Sequence, residues 1–240
     1  MTVGSLFERS HIRLSKWLLA VHLMSASKKG ISAHQLHRML NITYKSSWFM
    51  CHRIRESMKP KSTPPMGGNG GMVEVDETFI GNKGKNKKGA TGYAHKEKVL
   101  TLVERKTGKA RSFHVDAVNV KTLKPILMQN LKQDTHLMTD EAGQYGPMGK
   151  EFADHSIVKH ERYQFVSGAA HTNTIEGFFS IFKRGMKGVY QHCSASHLQR
   201  YLNEFDFRYS NRTIEDWERA NIALKGIEGR RLTYRRIDQH

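Results

Sequence analysis

Apolar and polar positions alternate in two different ways along this 240-residue chain. In SHIRLSKWLLAVHLM, near the N-terminus, Ile12, Trp17, Leu18 and Val21 recur at helical spacing and predict one amphipathic helix. GISAHQLHRMLNITYKSSWFMCHRIRESM predicts two more, with Ser32 and Thr43 as N-caps. Only a turn around Leu40, Asn41 and Ile42 separates them, the joint used by a helix-turn-helix. PKSTPPMGGNGG, from Pro60 to Gly71, holds three of the five prolines and four glycines without apolar periodicity, and predicts a linker.

Beyond it the period changes to two. In GMVEVDETFIG, Val73, Val75 and Phe79 face one way and Glu74, Asp76 and Thr78 the other, a strand with acids on one side. NKGKNKKG, Asn82 to Gly89, predicts a lysine-rich loop, either a solvated hairpin tip or a DNA contact. KVLTLVERKTGKARSFHVDAV reads as an antiparallel hairpin turning at Lys106 to Lys109. VKTLKPILMQNL reads as a helix, THLMTDEAGQY as a short strand ending in acids, and HSIVKH as a further short strand. Helices complete the chain. The order strand, strand, strand, helix, strand, helices predicts an α/β fold with an RNase H-like core, a mixed sheet flanked by helices, after an N-terminal helix-turn-helix-like region. The expected divisions are 1–59, helical and DNA-binding; 60–71, linker; 72–212, catalytic core; and 213–240, a basic C-terminal segment.

Charge narrows the partner. Lys and Arg number 39 against 22 Asp and Glu, a net +17 spread along the chain, which favours a polyanion. No apolar run approaches the roughly 18–20 residues of a spanning helix, and no signal-peptide core is present, so nucleic acid in the cytoplasm is expected rather than a membrane. The second helix of the helix-turn-helix carries Lys45, Arg53 and Arg55 as candidate DNA contacts; a helical bundle with a solvated basic face gives the same pattern. Cys51 and Cys193 form no CxxC pair and read as reduced thiols. His34 and His37 lack a third ligand and read as surface residues.

The acids supply candidate chemistry. Asp76 falls in the first predicted strand, Asp140 at the end of the fourth, and Glu176 in a later helix. Paired neighbouring strands lie about 4.8 Å apart, so pairing of the first and fourth would bring the aspartates together. Carboxylates about 4 Å apart repel by roughly 4 kcal/mol per pair at an effective dielectric near 20, and a cation removes that penalty. Hard oxygen ligands select Mg²⁺, or Mn²⁺ in its place, and two such ions would serve phosphodiester attack. Lys183, two turns beyond Glu176, returns to the same helix face, where it and Arg184 would meet phosphate. Each acid also has a structural reading: Asn173 to Glu176 has the form of a capping box, Asp140 could cap a turn, and Asp76 could be the polar side of a strand. Glu77 and Glu141 stand as substitutes beside the two aspartates.

The stretches VEVDETFIG, LMTDEAGQY, HTNTIEGFFSIFKRGMKGVYQHCSASHLQRYLNEFDFRYSNR and KGISAHQLHRMLNITYKSSWFMCHRIR resemble the ISXO2-like DDE transposases of the IS1595 insertion-sequence family over nearly the whole chain. The resemblance implies an RNase H-like core that uses two Mg²⁺ ions to cut element ends and join them to target DNA during DNA transposition. Matched by motif, the catalytic set is Asp76, Asp140 and Glu176, all three as metal ligands, with Lys183 as the downstream base; Asn173 is the alternative at the third position. It further implies terminal inverted repeats as DNA partners, a homo-oligomeric synaptic complex and a bacterial, nucleoid-associated location. Such transposases usually begin with a cysteine-rich zinc ribbon, and no CxxC occurs here, so intact metal chemistry with impaired end recognition is expected. Two other readings remain: a catalytically inactive, transposase-derived DNA-binding protein, and a nuclease that hydrolyses without joining.

Overall fold

The computed structural model describes residues 3–81, 93, 95–158 and 172–233. Three helices come first: α1 (Leu14–Ala26), α2 (Ala33–Leu40) and α3 (Tyr44–Met58). Both expected caps form, Ser32 Oγ accepting the Gln35 N–H at 3.1 Å and Thr43 Oγ1 the Ser46 N–H at 3.2 Å. Asn41 ends α2 in the left-handed region at φ 47°, the turn that redirects the chain into α3.

The strands β1 (Met72–Ile80), β2 (Glu97–Glu104) and β3 (Ala110–Val115) form an antiparallel meander. Helix α4 (Val120–Asn130) then crosses to β4 (His136–Asp140), parallel to β1, and after the short α5 (Tyr145–Gly149) comes β5 (Asp154–Val158), parallel to β4. The sheet order is β3-β2-β1-β4-β5. Helix α6 (Asn173–Gly185) runs into a π-helical turn, Met186–Tyr190, and α7 (Ala195–Ser210) and α8 (Asp216–Lys225) follow. The mixed α/β sheet flanked by helices matches the expected order of elements. The lysine-rich loop 82–89 lies outside the described residues.

Period-two patterning sorts the sheet residues between two cores. Val73 and Val75 join Leu100 and Leu102 under Leu123 and Leu127 of α4. Val99 and Val103, on the reverse face, pack against Phe178 and Phe182 of α6 and Leu202 of α7. A third core unites the first three helices with Phe207 of α7 and Ala223 of α8. It alters the expected divisions. Residues 213–240 were read as a basic tail, yet they contain α8, which packs on α1, and Leu6 N–H donates to Ile227 C=O at 3.3 Å. Within the expected linker, Met66 is buried and its backbone bonds Asn130 and Lys132, so only its first part is an exposed connection.

Partners within the protein correct two of the proposed DNA contacts on α3. Arg55 is 2% exposed and pairs with Glu204 of α7 at 2.7 Å, so its guanidinium lies inside the protein. Arg53 spends its guanidinium on the carbonyls of Leu6, Glu8 and Leu232 and lies over the Phe49 ring. Lys45 and Tyr44, in the first turn, are the exposed part of the helix.

Candidate active site

The β1–β4 register pairs Val73 with Leu137 and Glu74 with Met138; continued by two residues, it sets Asp76 beside Asp140 on the sheet face that α6 covers. Glu74, two residues before Asp76 on that face, is fully buried. Its carboxylate accepts the Ile175 N–H at the start of α6 at 2.9 Å and pairs with Arg105 at 2.6 Å. That bond fixes the first turn of α6 over β1, and Glu176 is the next residue.

The electrostatics follow. Burial pushes the Asp76 carboxyl up to about 7, against the Glu77 N–H that donates to its Oδ1 at 2.7 Å, and the charges of Asp140, Glu77 and Glu176 add to the rise. Asp76 therefore feels the charges of both other acids. Asp140 Oδ1 accepts the Ala142 N–H at 3.1 Å, which orients it at the strand end. Glu176 is exposed, and its Oε1 accepts the Thr172 hydroxyl at 3.0 Å. The capping-box reading fails: Thr172 is the N-cap residue and Glu176 lies beyond the box position. As the side chains stand, no three His, Cys, Asp or Glu residues among those described form a closed ligand set for an ion.

The donor set nonetheless suits a hard divalent cation. Its ligating atoms are carboxylate oxygens, and burial beside like charges makes the ionised form of Asp76 costly unless a cation accompanies it. Glu77, offered as a substitute, points to the opposite face, where Gln144 Nε2 donates to it at 3.2 Å and burial raises its carboxyl. Glu141 is exposed beyond the strand, and Asn173 is exposed at the first position of α6. Lys183 is exposed along the same helix and borders a cavity of about 430 Å³ with Thr78, Tyr93, Lys96 and Lys187. Arg184 is exposed, its Nε bonded to Ser180 C=O. Sequence reasoning missed Glu74 and Thr172 as the groups that position the helix and its acid; alternation alone does not separate Glu74 from Asp76.

Residues 69–210 match the ISXO2-like transposase domain. The chain belongs to that family. As a member of the ISXO2-like transposases it has a transposase-related role. It is 26% identical over 220 residues to an uncharacterized protein in transposable element ISH50 of Halobacterium salinarum, covering 85% of this chain and 72% of that one. Among solved structures it is similar to a chain of the simian T-cell lymphotropic virus intasome in complex with PP2A regulatory subunit B56 gamma, at 14% identity and a TM-score of 0.36. That match covers 71% of this chain and 63%, less than two thirds, of the chain in that structure. No described helix is long and apolar enough to cross a membrane.

Proposed function

We propose that the protein is a DDE-type transposase with an RNase H-like core, which cuts the ends of an insertion sequence and joins them to target DNA. The alignment of Asp76 with Asp140 beneath Glu176, with the Asp76 carboxyl driven up to about 7, carries this reading. The sheet order, with a three-stranded meander continued by two parallel strands, supports the fold assignment.

Asp76 and Asp140 are the residues that would hold Mg²⁺ or Mn²⁺, with Glu176 turning from Thr172 to join them. Bound there, a pair of divalent ions would supply an activated water or 3′-hydroxyl and stabilise the leaving oxygen. Glu74 keeps the acid-bearing turn of α6 over β1. Lys183, with Lys96 and Lys187 around the adjoining cavity, holds backbone phosphate beside the acids. Lys45, at the exposed start of α3, makes a more distant contact. Two element ends must be held together for joining, so the active form is a homo-oligomer on DNA.

Incubation with element-end DNA, with Mn²⁺ or with chelator, tests the proposal. Metal-dependent nicks and joined strands support it. Nicks without joined strands would reassign the protein as a nuclease, and a shifted but intact DNA band as a binding protein.

A further inference from the structure

Helix α6 has a second charged neighbour. On the flank away from Glu176, Gly177 borders a cavity of about 560 Å³ together with Ser25 of α1 and Lys28 just beyond it, Arg208 of α7 and Arg212 just beyond it, and Arg219 of α8. No acid is among its described lining residues, though Arg219 pairs with Asp216 and bonds the Ser25 carbonyl, and Arg212 bonds the carbonyls of Gly108 and Tyr209, so Arg208 and Lys28 carry the case. Lys28 and Arg212 are exposed at the mouth, while Ser25 and Arg208 are 1% and 6% exposed.

The buried groups lack acceptors. Arg208 Nη1 pairs with Glu204, but its Nε and Nη2 have no hydrogen-bond partner, and neither has Ser25 Oγ. Glu204 serves Arg55 as well, so a single carboxylate faces two buried guanidinium groups. Unpaired charged N–H groups are costly in a protein interior and draw in an acceptor with several oxygens. A phosphate fits the guanidinium fork.

Gly177 strengthens the case. A Cβ there would meet nothing within 4 Å, so packing does not require glycine at a helical position where it costs about 1 kcal/mol relative to alanine. Its absent side chain leaves the cavity wall open.

We infer that this cavity binds a phosphate group, and that the phosphate belongs to the backbone of bound DNA. The second half rests on the transposase reading: a helix is only about 10 Å across, so a strand lying over α6 reaches both the flank of Glu176 and this one.

Two binding measurements on the full chain test it, neither needing DNA cleavage. In the first, inorganic phosphate is compared with chloride at equal ionic strength by thermal unfolding. Phosphate should raise Tm in the wild type and equally in Asp76→Asn. The shift should vanish in Gly177→Glu and shrink in Lys28→Ala, while Gly177→Ala, a methyl added into open space, should keep it. In the second, fluorescence anisotropy with a short duplex should show Gly177→Glu binding about tenfold more weakly. No phosphate shift in the wild type, or one that persists unchanged in Gly177→Glu, overturns the site. Loss of the phosphate shift with unchanged DNA affinity overturns the DNA assignment and leaves free phosphate as the ligand. Failure of the transposase reading looks different: a chain that never cuts DNA but keeps the shift refutes the reading and spares the site.

Discussion

Two charged clusters lie against the α6–α7 layer, and the fold treats them in opposite ways. Around Arg55, Glu204 and Arg208, opposite charges meet inside the protein. Although burial pushes the Glu204 carboxyl up, Arg208 and Arg55 hold it below the usual range, and the Tyr190 hydroxyl donates to it at 2.6 Å. At Asp76 burial first, and then the like charges of Asp140, Glu77 and Glu176, drive the carboxyl up. In the first cluster pairing to Glu204 is architecture and leaves only the remaining N–H groups of Arg208 open to an acceptor, whereas a cluster of like charges calls for a counter-charge from outside. The contrast separates structural charge from functional charge more clearly than exposure does.

The largest expected effect lies on the acid side. Asp76→Asn or Asp140→Asn should lower DNA cleavage on the order of 10⁴-fold, about 5 kcal/mol in activation, while thermal unfolding shows Tm unchanged or raised, because repulsion is removed. A fall in Tm with normal cleavage would place these acids in the architecture. On the other side, Glu204→Ala leaves two buried guanidinium groups without their carboxylate and should cost about 3–5 kcal/mol in urea unfolding. Cleavage by the fraction that remains folded should be normal.

A smaller effect appears in pH. His52 is 1% exposed, packed among Trp48, His197 and Tyr201, and burial, with the charges of Arg55, His197 and Arg200, drives it down from 6.5 to about 2. Below about pH 6.5 the unfolded chain takes up a proton that the folded one refuses. Stability from this group is therefore complete above 6.5 and lost as pH falls, by up to about 1.4 kcal/mol per pH unit. His52→Phe should flatten that slope in unfolding curves measured between pH 4 and about 7. The smallest effect is that of Lys45→Ala, which should weaken DNA binding by at most about 1 kcal/mol and reduce its salt dependence by about one counterion.

Local patterning in the sequence was enough to place the elements and the two aspartates. The alternation in VEVDETFIG put Asp76 on the right face, and the capping residues Ser32 and Thr43 marked the starts of α2 and α3. What escaped depends on distant pairing. Arg53 and Arg55 look like any basic helix surface until residues at the other end of the chain supply their partners, Leu232 C=O and the Glu204 carboxylate. Glu74 and Asp76 are indistinguishable by alternation; only the approach of Ile175 and Arg105 makes Glu74 a clamp. Arg208 was visible as one base among aromatics, but the cavity beside it is lined by four helices, α1, α6, α7 and α8, that lie far apart in the sequence.

The core shared by the first three helices with Phe207, Ala223 and Ile227 has a consequence for synthesis. Leu6, Trp17 and Met24 are translated before the sheet, yet Phe207, Ala223 and Ile227, which help cover them, are translated after it. The helices α1 to α3 stay incompletely buried until α7 and α8 have emerged, so a nascent chain cannot finish this core ahead of its sheet.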